Sequence, residues 1–304
     1  MTACVAGAGS IGSLFAAHLA TVTDVVVLTR RNDHARELNE HGLRVSGRHD
    51  FTARVTATSD PGELPDVDLV IVATKATGVE SAASALAGRV PGATVMTVQN
   101  GLGAEEIVRA HGEWPLVSGV TFMSGTKHSD SHVEYILDTP TWIGPYGGTA
   151  FERVQEIAQL IVDAGLKAEA LPDLLPAQWS KLIFNATVNG VAALTGLPHD
   201  AHFAAEDDVG DLGYLVHDLV DEGKRVAAAA GVELHDDPWE MNVLATKRGS
   251  AHYPSMLEDV EAHRPTEVEL INGALVREAA RVGVEAPLQT AVYRLVKARE
   301  ASYT

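Results

Sequence analysis

The feature that most limits the fold is a glycine turn near the start of the chain. Residues 3–6 are apolar, as in a short strand, and GAGSIG at residues 7–12 separates them from a helical pattern. Gly7 permits a tight turn, Gly9 lets a pyrophosphate approach the backbone, and Gly12 lets helix and strand pack closely. A strand, this turn and a helix in that order predict a dinucleotide-binding domain. A glycine turn without a ligand is the alternative.

The end of the second predicted strand indicates which dinucleotide fits. Residues 25–28 are apolar and lead into Arg30 and Arg31, where an NAD-binding domain usually has Asp or Glu against the ribose 2′-hydroxyl. Guanidinium groups make bidentate, charge-assisted bonds to phosphate oxygens, so two arginines here favour NADP. The alternative is that both arginines are solvated at the start of the next helix.

Two polar residues follow later apolar strands. Lys75 comes after the apolar run 68–73, and Asn100 follows residues 94–98. The carboxyl ends of parallel strands face the cofactor crevice of a doubly wound sheet, so we expect both side chains to meet cofactor or substrate. A surface lysine and a turn-forming asparagine are the alternatives.

The chain of 304 residues is long enough for two domains, and its character changes near Pro172. Residues 115–144 hold extended segments that we expect to complete the first sheet. After Pro172 the strand patterns end and helical patterns follow, near residues 205–230, 266–282 and 288–302. We therefore predict an α/β Rossmann-type domain over residues 1–170 and an all-α domain over residues 171–304.

An unusual helix opens the second domain. Residues 178–189 contain no Pro or Gly, and at about 100° per residue Lys181, Asn185 and Asn189 share one narrow face of a mostly apolar helix. A buried polar group without a partner costs roughly 1–3 kcal/mol. The stripe is therefore either a core feature that bonds neighbouring loops or a face that binds substrate.

Ser255 and Glu267 lie in another polar stretch of the same domain. Ser255 precedes Met256 in a helix-start pattern, and Thr266 precedes Glu267 in a second one. Capping and compensation of the helix dipole would explain both residues, and a role in a site would explain them equally well.

Composition argues against several classes of function. A formal net charge of -18 disfavours a nucleic-acid partner. Cys4 is the only cysteine, which excludes an intrachain disulfide and a CxxC metal site. His128 and His132 lack partners at a metal-binding spacing, so we predict no metal site. The chain starts without a signal-peptide pattern and has no apolar run near about 18 residues, so we expect a cytoplasmic protein without a membrane partner.

Six motifs follow one another along the chain: GAGSIG at 7–12, TK at 74–75, QNGLG at 99–103, WSKLIFNATVN at 179–189, SMLEDV at 255–260 and RPTEVELING at 264–273. Together they resemble the successive motifs of the ketopantoate reductase (2-dehydropantoate 2-reductase) family. The resemblance implies a Rossmann domain joined to a helical domain similar to that of 6-phosphogluconate dehydrogenase. It also implies NADPH-dependent reduction of 2-dehydropantoate to pantoate, on the route to pantothenate and coenzyme A.

The resemblance implies a role for each matching residue. Lys181 matches the general acid, and Glu267 matches its acidic partner. The positions that match substrate contacts are Asn100, Asn185, Asn189 and Ser255, and those that match cofactor contacts are Gly7, Gly9, Ser10, Ile11, Gly12, Arg30, Arg31, Lys75, Asn100 and Glu267. Three residues depart from the family pattern. Gly190 stands where the family often has Pro, and His199 and His252 stand where some members have Asn, which bears on the substrate more than on the reaction.

Several alternatives stay open at this level. The substrate is 2-dehydropantoate or a related 2-oxo acid, and a nonenzymatic NADPH sensor is the alternative class, which Lys181 and Glu267 disfavour. Pairing with Glu267 would favour the charged lysine whereas burial would oppose it, so the direction of the pKa shift of Lys181 is undecided. The oligomeric state is undecided too, with a homodimer as one option.

Overall fold

The protein is seen here as a computed structural model that describes residues 1–204, 209–247 and 253–303. The chain divides into two compact units. The first, the α/β unit, contains Met1–Gln99 and Ala104–Leu174, and the second, the helical unit, contains Leu175–Thr304 together with Asn100–Gly103. We predicted the domain boundary after residue 170 and placed residues 100–103 in the first domain.

All strands among the described residues lie in the α/β unit. They are β1 (Thr2–Ala6), β2 (Asp24–Leu28), β3 (Leu43–Gly47), β4 (Phe51–Ala53), β5 (Thr56–Thr58), β6 (Leu69–Val72), β7 (Thr94–Thr97), β8 (Leu116–Thr121), β9 (Ser124–Ser129), β10 (His132–Leu137), β11 (Thr141–Tyr146) and β12 (Ala168–Ala170). Eight of them form the main sheet, in the order β12-β11-β8-β7-β6-β1-β2-β5. The six neighbouring strands β5-β2-β1-β6-β7-β8 of this sheet all pair in parallel. The strand order reverses beside β1, which is where doubly wound sheets bind ligands.

The helices of the α/β unit cover this sheet. They are α1 (Ser10–Leu19), α2 (Asn32–His41), α3 (Val79–Leu86), α4 (Ala104–Arg109) and α5 (Phe151–Asp163). The central strands β6 and β7 are buried along their whole length, as strands covered on both faces are. Leu14 and Phe15 of α1 and Ile157 of α5 pack in the same core.

A second sheet of four strands, in the order β4-β3-β10-β9, corrects one prediction. We expected residues 115–144 to complete the first sheet, but only β8 and β11 do so, as an antiparallel pair. β10 instead pairs in parallel with β3. Its alternation of buried Val133 and Tyr135 with less buried His132 and Glu134 fits a sheet with one solvated face. Alternation identifies a strand, but it does not identify the partner of that strand.

The helical unit contains α6 (Leu175–Thr195), α7 (Asp211–Ala229), α8 (Pro238–Thr246), α9 (Ser255–Glu261), α10 (Asn272–Val282) and α11 (Pro287–Glu300). Its core joins Leu182 and Ile183 of α6 to Leu219 of α7 and Leu275 of α10. The expected α/β domain followed by an all-α domain is confirmed. In the part of the chain that the structure describes, no helix has the length and apolar character to cross a membrane.

Two helix predictions in this unit need correction. The helix start predicted at Thr266 is wrong, because a bend at Glu267 and turns at residues 268–271 follow it, and α10 begins at Asn272. Helix α8 was not predicted, although its sequence carries two start signals: Asp237 caps it by accepting bonds from Trp239 N and Glu240 N, and Pro238 occupies its first turn.

Candidate active site

The polar stripe of α6 is buried. Lys181 is 8% exposed, and Asn185 and Asn189 are each 6% exposed. Four-residue spacing places the three side chains along one face of the helix. Buried polar groups are nearly always hydrogen-bonded, so the partners of these three side chains indicate the role of the stripe.

The amide groups form a directional chain of hydrogen bonds. Asn189 Nδ2 donates to Asn185 Oδ1 at 3.3 Å, and Asn185 Nδ2 donates to Asn100 Oδ1 at 3.4 Å. Asn100 Nδ2 then donates to Glu267 Oε2 at 3.0 Å. Each amide uses its oxygen to accept and its nitrogen to donate, so the carboxylate at the end of the chain fixes the orientation of all three.

Ser255 joins the other end of this chain. Ser255 Oγ donates to Asn189 Oδ1 at 3.4 Å, and the backbone N–H of Met256 donates to the same oxygen at 3.2 Å. Ser255 is the first residue of α9, and the N-cap position before it is held by Pro254, which makes no side-chain capping bond. The capping interpretation of Ser255 is therefore wrong: the side chain of Asn189 satisfies an N–H at the start of α9.

The charged pair of the site is Lys181 and Glu267. Burial lowers the pKa of Lys181 from 10.5 to about 8, and the carboxylate of Glu267 opposes that shift by stabilising the ammonium. The sequence left the direction of the Lys181 pKa shift open, and in the structure this pKa is lowered. An ammonium with a pKa near 8 donates hydrogen bonds at neutral pH and can also release a proton.

A close backbone approach brings Asn100 to the helical unit. Gly101 has φ +97°, and a Cβ at this position would lie 1.8 Å from Leu270 O. The N–H of Leu102 donates to the same carbonyl at 2.9 Å. Asn100 is thereby held beside the turn that carries Glu267, and only glycine fits at position 101.

The structure therefore gathers six predicted site residues in the helical unit: Asn100, Lys181, Asn185, Asn189, Ser255 and Glu267. The remaining predicted residues, which belong to the cofactor set, lie in the α/β unit.

The glycine turn has the form expected of a pyrophosphate cradle. Gly7 has φ +106°, and a Cβ on Gly12 would lie 1.9 Å from Gly7 O, so both positions require glycine. A Cβ on Gly9 would meet no atom within 4 Å, which leaves open space above the loop. Gly9 precedes α1 without a side-chain cap, so the N–H groups of Ser10 and Ile11 are available to an anion.

Lys127, which the sequence analysis did not single out, supports this turn. Its Nζ donates to Ala8 O at 3.0 Å and to Asp130 Oδ1 at 2.9 Å. Lys127 belongs to β9, far from the turn in sequence, and no local pattern indicates the contact. Asp130 also accepts a hydrogen bond from Arg31, so it links the glycine turn to the end of β2.

The two arginines after β2 have different surroundings. Arg31 pairs with Asp33, at 2.8 Å, and with Asp130, and these carboxylates raise its pKa. Arg30 is exposed and has no hydrogen bond or ion pair with any of the described residues. Lys75 is exposed directly after β6, the strand on the other side of β1. The structure thus places Arg30, Arg31 and Lys75 at the carboxyl ends of strands that flank the glycine turn.

Two histidines were noted as departures from the family pattern. His199 is buried, and its Nε2 lies 2.7 Å from Asn242 Oδ1. It packs edge-on against Phe184 and Phe203. His252 lies outside the described residues. Among the residues that are described, no group of three or more His, Cys, Asp or Glu side chains could hold a metal ion.

Both units match known protein families. Residues 3–148 match the family described as Ketopantoate reductase PanE/ApbA, and residues 173–300 match Ketopantoate reductase PanE/ApbA C terminal. The chain is 31% identical over 301 residues to a 2-dehydropantoate 2-reductase of Pyrococcus horikoshii, covering 98% of this chain and 97% of that protein. The chain belongs to the ketopantoate reductase family. The resemblance inferred from the six motifs is confirmed, and the protein is an oxidoreductase.

Further relatives agree with this assignment. A 2-dehydropantoate 2-reductase of Halobacterium salinarum is 32% identical over 303 residues, covering 98% of both chains. The solved structure of a 2-dehydropantoate 2-reductase from Methylococcus capsulatus is similar with a TM-score of 0.85 at 27% identity, covering 100% of this chain and 98% of that one. The ternary structure of D-mandelate dehydrogenase with NADH and anilino(oxo)acetate is similar with a TM-score of 0.88 at 25% identity, covering 100% and 99%.

Proposed function

We propose that this ketopantoate reductase family member reduces 2-dehydropantoate to pantoate with NADPH, a step toward pantothenate and coenzyme A. The observation that carries the proposal is the buried Lys181, whose charge is balanced by Glu267 and which shares a helix face with the oriented amides. This arrangement supplies one proton donor and several fixed hydrogen-bonding groups, which the reduction of a 2-oxo acid requires.

NADPH, when bound, supplies the hydride. Lys181 donates a hydrogen bond to the carbonyl oxygen of the substrate, stabilises the negative charge that develops there and then transfers a proton to that oxygen. Glu267 keeps Lys181 in the ammonium form that this step needs. Because the lysine must regain its proton after each turnover, a pKa near the working pH suits the cycle.

The amides and the serine position the substrate. Glu267 fixes the amide of Asn100, and the chain through Asn185 to Asn189 fixes the others, so donors and acceptors are preorganised. We assign the substrate carboxylate and hydroxyl to Asn100, Asn185, Asn189 and Ser255. Preorganised contacts of this kind hold the carbonyl carbon in a reactive geometry.

The α/β unit holds the cofactor in this proposal. Gly7, Gly9, Ser10, Ile11 and Gly12 receive the pyrophosphate, because Gly9 leaves open space and the start of α1 offers uncapped N–H groups. Arg30 receives the 2′-phosphate, since Arg31 already pairs with two carboxylates. Lys75 contributes a second cation from the end of β6, on the other side of β1. This arrangement favours NADPH over NADH.

A related 2-oxo acid is the second candidate substrate. The similarity to D-mandelate dehydrogenase, whose solved complex contains anilino(oxo)acetate, favours it, because that protein shares this fold at 25% identity. The buried His199, which packs against Phe184 of α6, is a difference from the family pattern in the same unit.

Two further statements complete the proposal. We place the protein in the cytoplasm, because its single cysteine cannot form an intrachain disulfide, so the fold needs no oxidising compartment. We also propose a homodimer with a small-molecule substrate and no nucleic-acid partner, the last because the formal net charge is -18. Sedimentation of the purified protein at several concentrations tests the assembly, and a monomer throughout would contradict it.

A panel of 2-oxo acids tests the substrate assignment. The purified protein is mixed with NADPH and either 2-dehydropantoate, an unbranched aliphatic 2-oxo acid or phenylglyoxylate, and loss of the nicotinamide absorbance is followed. We expect the highest kcat/KM with 2-dehydropantoate. A higher value with phenylglyoxylate would instead support the second candidate, and no turnover with any of them would contradict the reductase proposal.

A further inference from the structure

The turn that carries Glu267 is held from the end of the chain. Thr266 N and Thr266 Oγ1 each donate to Glu300 Oε1 at 2.7 Å. The same hydroxyl oxygen accepts a bond from Val268 N at 3.1 Å. Thr266 is 3% exposed. Its buried hydroxyl therefore connects the two neighbours of Glu267, Thr266 and Val268, to the carboxylate of Glu300. Glu300 is the last residue of α11 and lies in none of the six motifs.

The two oxygens of Glu300 have separate partners. Oε1 accepts both bonds from Thr266, whereas Oε2 lies 3.1 Å from Lys297 Nζ, which is 42% exposed. An exposed ion pair contributes little to stability, whereas buried donors that lose their acceptor are costly. Of the two contacts of Glu300, the one with Thr266 is therefore the one that holds the turn.

We propose that Glu300 is a positioning residue, which holds Thr266 and thereby sets the place of the Glu267 carboxylate beside Lys181 and Asn100. The assignment of a catalytic role to that carboxylate rests on the proposed function. Without Glu300, the N–H and hydroxyl of Thr266 would lose their acceptor, and the turn would move to find another. A displacement of about 1 Å in a catalytic group can lower turnover by about a hundredfold.

Three variants separate this role from a purely structural one. Glu300→Ala removes the acceptor, and Glu300→Gln keeps a carboxamide oxygen that can accept both bonds. Lys297→Met removes the exposed ion pairs that Lys297 makes with Glu300 Oε2 and with Glu269 Oε1, and leaves the bonds from Thr266 intact. Each is followed by the pH profile of kcat/KM. In parallel, competitive acetylation of Lys181 with mass spectrometry, without substrate or cofactor, gives the pH at which half of Lys181 is reactive.

We expect Glu300→Ala to lower kcat/KM at least about tenfold and to move the half-reaction pH of Lys181 downward, because Glu267 no longer stabilises the ammonium. Glu300→Gln and Lys297→Met should stay close to the parent in both measurements. A Glu300→Ala protein with the parent's half-reaction pH would overturn the proposal. A Lys297→Met protein that loses as much kcat/KM as Glu300→Ala would also overturn it, because that result would assign the lost activity to the exposed ion pairs of Lys297.

Thermal unfolding checks that each variant is folded. If Glu300→Ala does not fold, Thr266→Val serves instead, since it removes the hydroxyl and keeps the N–H. A smaller downward movement of the half-reaction pH is expected, and no movement would overturn the proposal. If the parent reduces no 2-oxo acid, the proposed function fails, and the acetylation measurement still decides the role of Glu300.

Discussion

Removing the charge of Glu267 gives a sharp test of the electrostatics at Lys181. Glu267→Gln keeps the size of the side chain and an oxygen for Asn100 Nδ2, but it removes the carboxylate that stabilises the ammonium. Burial alone then acts on Lys181, so its pKa must fall below the value of about 8 that it has in the parent.

The size of the effect follows from that pKa. An opposite charge within about 4–6 Å moves a pKa by about 1 to 3. With a pKa of about 8, roughly three-quarters of Lys181 is ammonium at about pH 7.5. With a pKa of about 7 the fraction is roughly one quarter, and with a pKa of about 5 it is roughly one three-hundredth. Protonation alone should therefore lower kcat/KM at about pH 7.5 by roughly 3- to 240-fold.

The assay is the pH profile of kcat/KM for the 2-oxo acid at saturating NADPH. We expect the alkaline limb of the Glu267→Gln profile to lie at lower pH than that of the parent, and part of the lost activity to return at acidic pH. Glu269→Gln is the matched control, because Glu269 is a more exposed acid on the same turn. An alkaline limb that does not move in Glu267→Gln would refute the assignment of Glu267 as the charge partner of Lys181.

Three further outcomes follow from the structure. Folded chains lose the Lys181 proton near pH 8 and unfolded chains lose it near pH 10.5. Between these pH values the unfolding free energy of the parent should therefore rise relative to that of Lys181→Met, by up to about 3 kcal/mol. Urea titrations in which both proteins show the same pH dependence would contradict this. Arg30→Ala should raise the Kd of NADPH about tenfold and leave that of NADH nearly unchanged, and equal losses in fluorescence titrations would exclude Arg30 from the 2′-phosphate site. Gly101→Ala should lower the unfolding free energy by at least about 2 kcal/mol, because its Cβ would meet Leu270 O. Gly148→Ala, also at positive φ but with no atom within 4 Å of its Cβ, should lower it less, and similar losses for both would show that the contact at Gly101 is unimportant.

Local patterns predicted the elements that carry the chemistry. The glycine turn could be recognised because Gly7 and Gly12 meet steric demands that sequence displays directly, as the 1.9 Å approach at Gly12 shows. The stripe of Lys181, Asn185 and Asn189 could be recognised because helical spacing alone places these residues on one face. Neither pattern indicated the partners of the stripe.

The features that could not be predicted depend on contacts between distant parts of the chain. Pairing of β3 with β10 is a choice of partner, which strand alternation does not encode. Thr266 accepts the cap-type bond from Val268 N, yet no helix follows directly, and the bond that its hydroxyl donates to Glu300 comes from a distant part of the chain. Lys127 likewise reaches Ala8 from another sheet.

The most direct test of the account is a single turnover by Lys181→Ala. NADPH-loaded protein is mixed with 2-dehydropantoate in a stopped-flow instrument, and oxidation of the nicotinamide is followed beside a separate titration of NADPH binding. If Lys181 donates the proton, the variant should bind NADPH with nearly the parent's Kd and oxidise it at least about a hundredfold more slowly. A variant that binds NADPH and reacts at a rate near that of the parent would contradict the central claim.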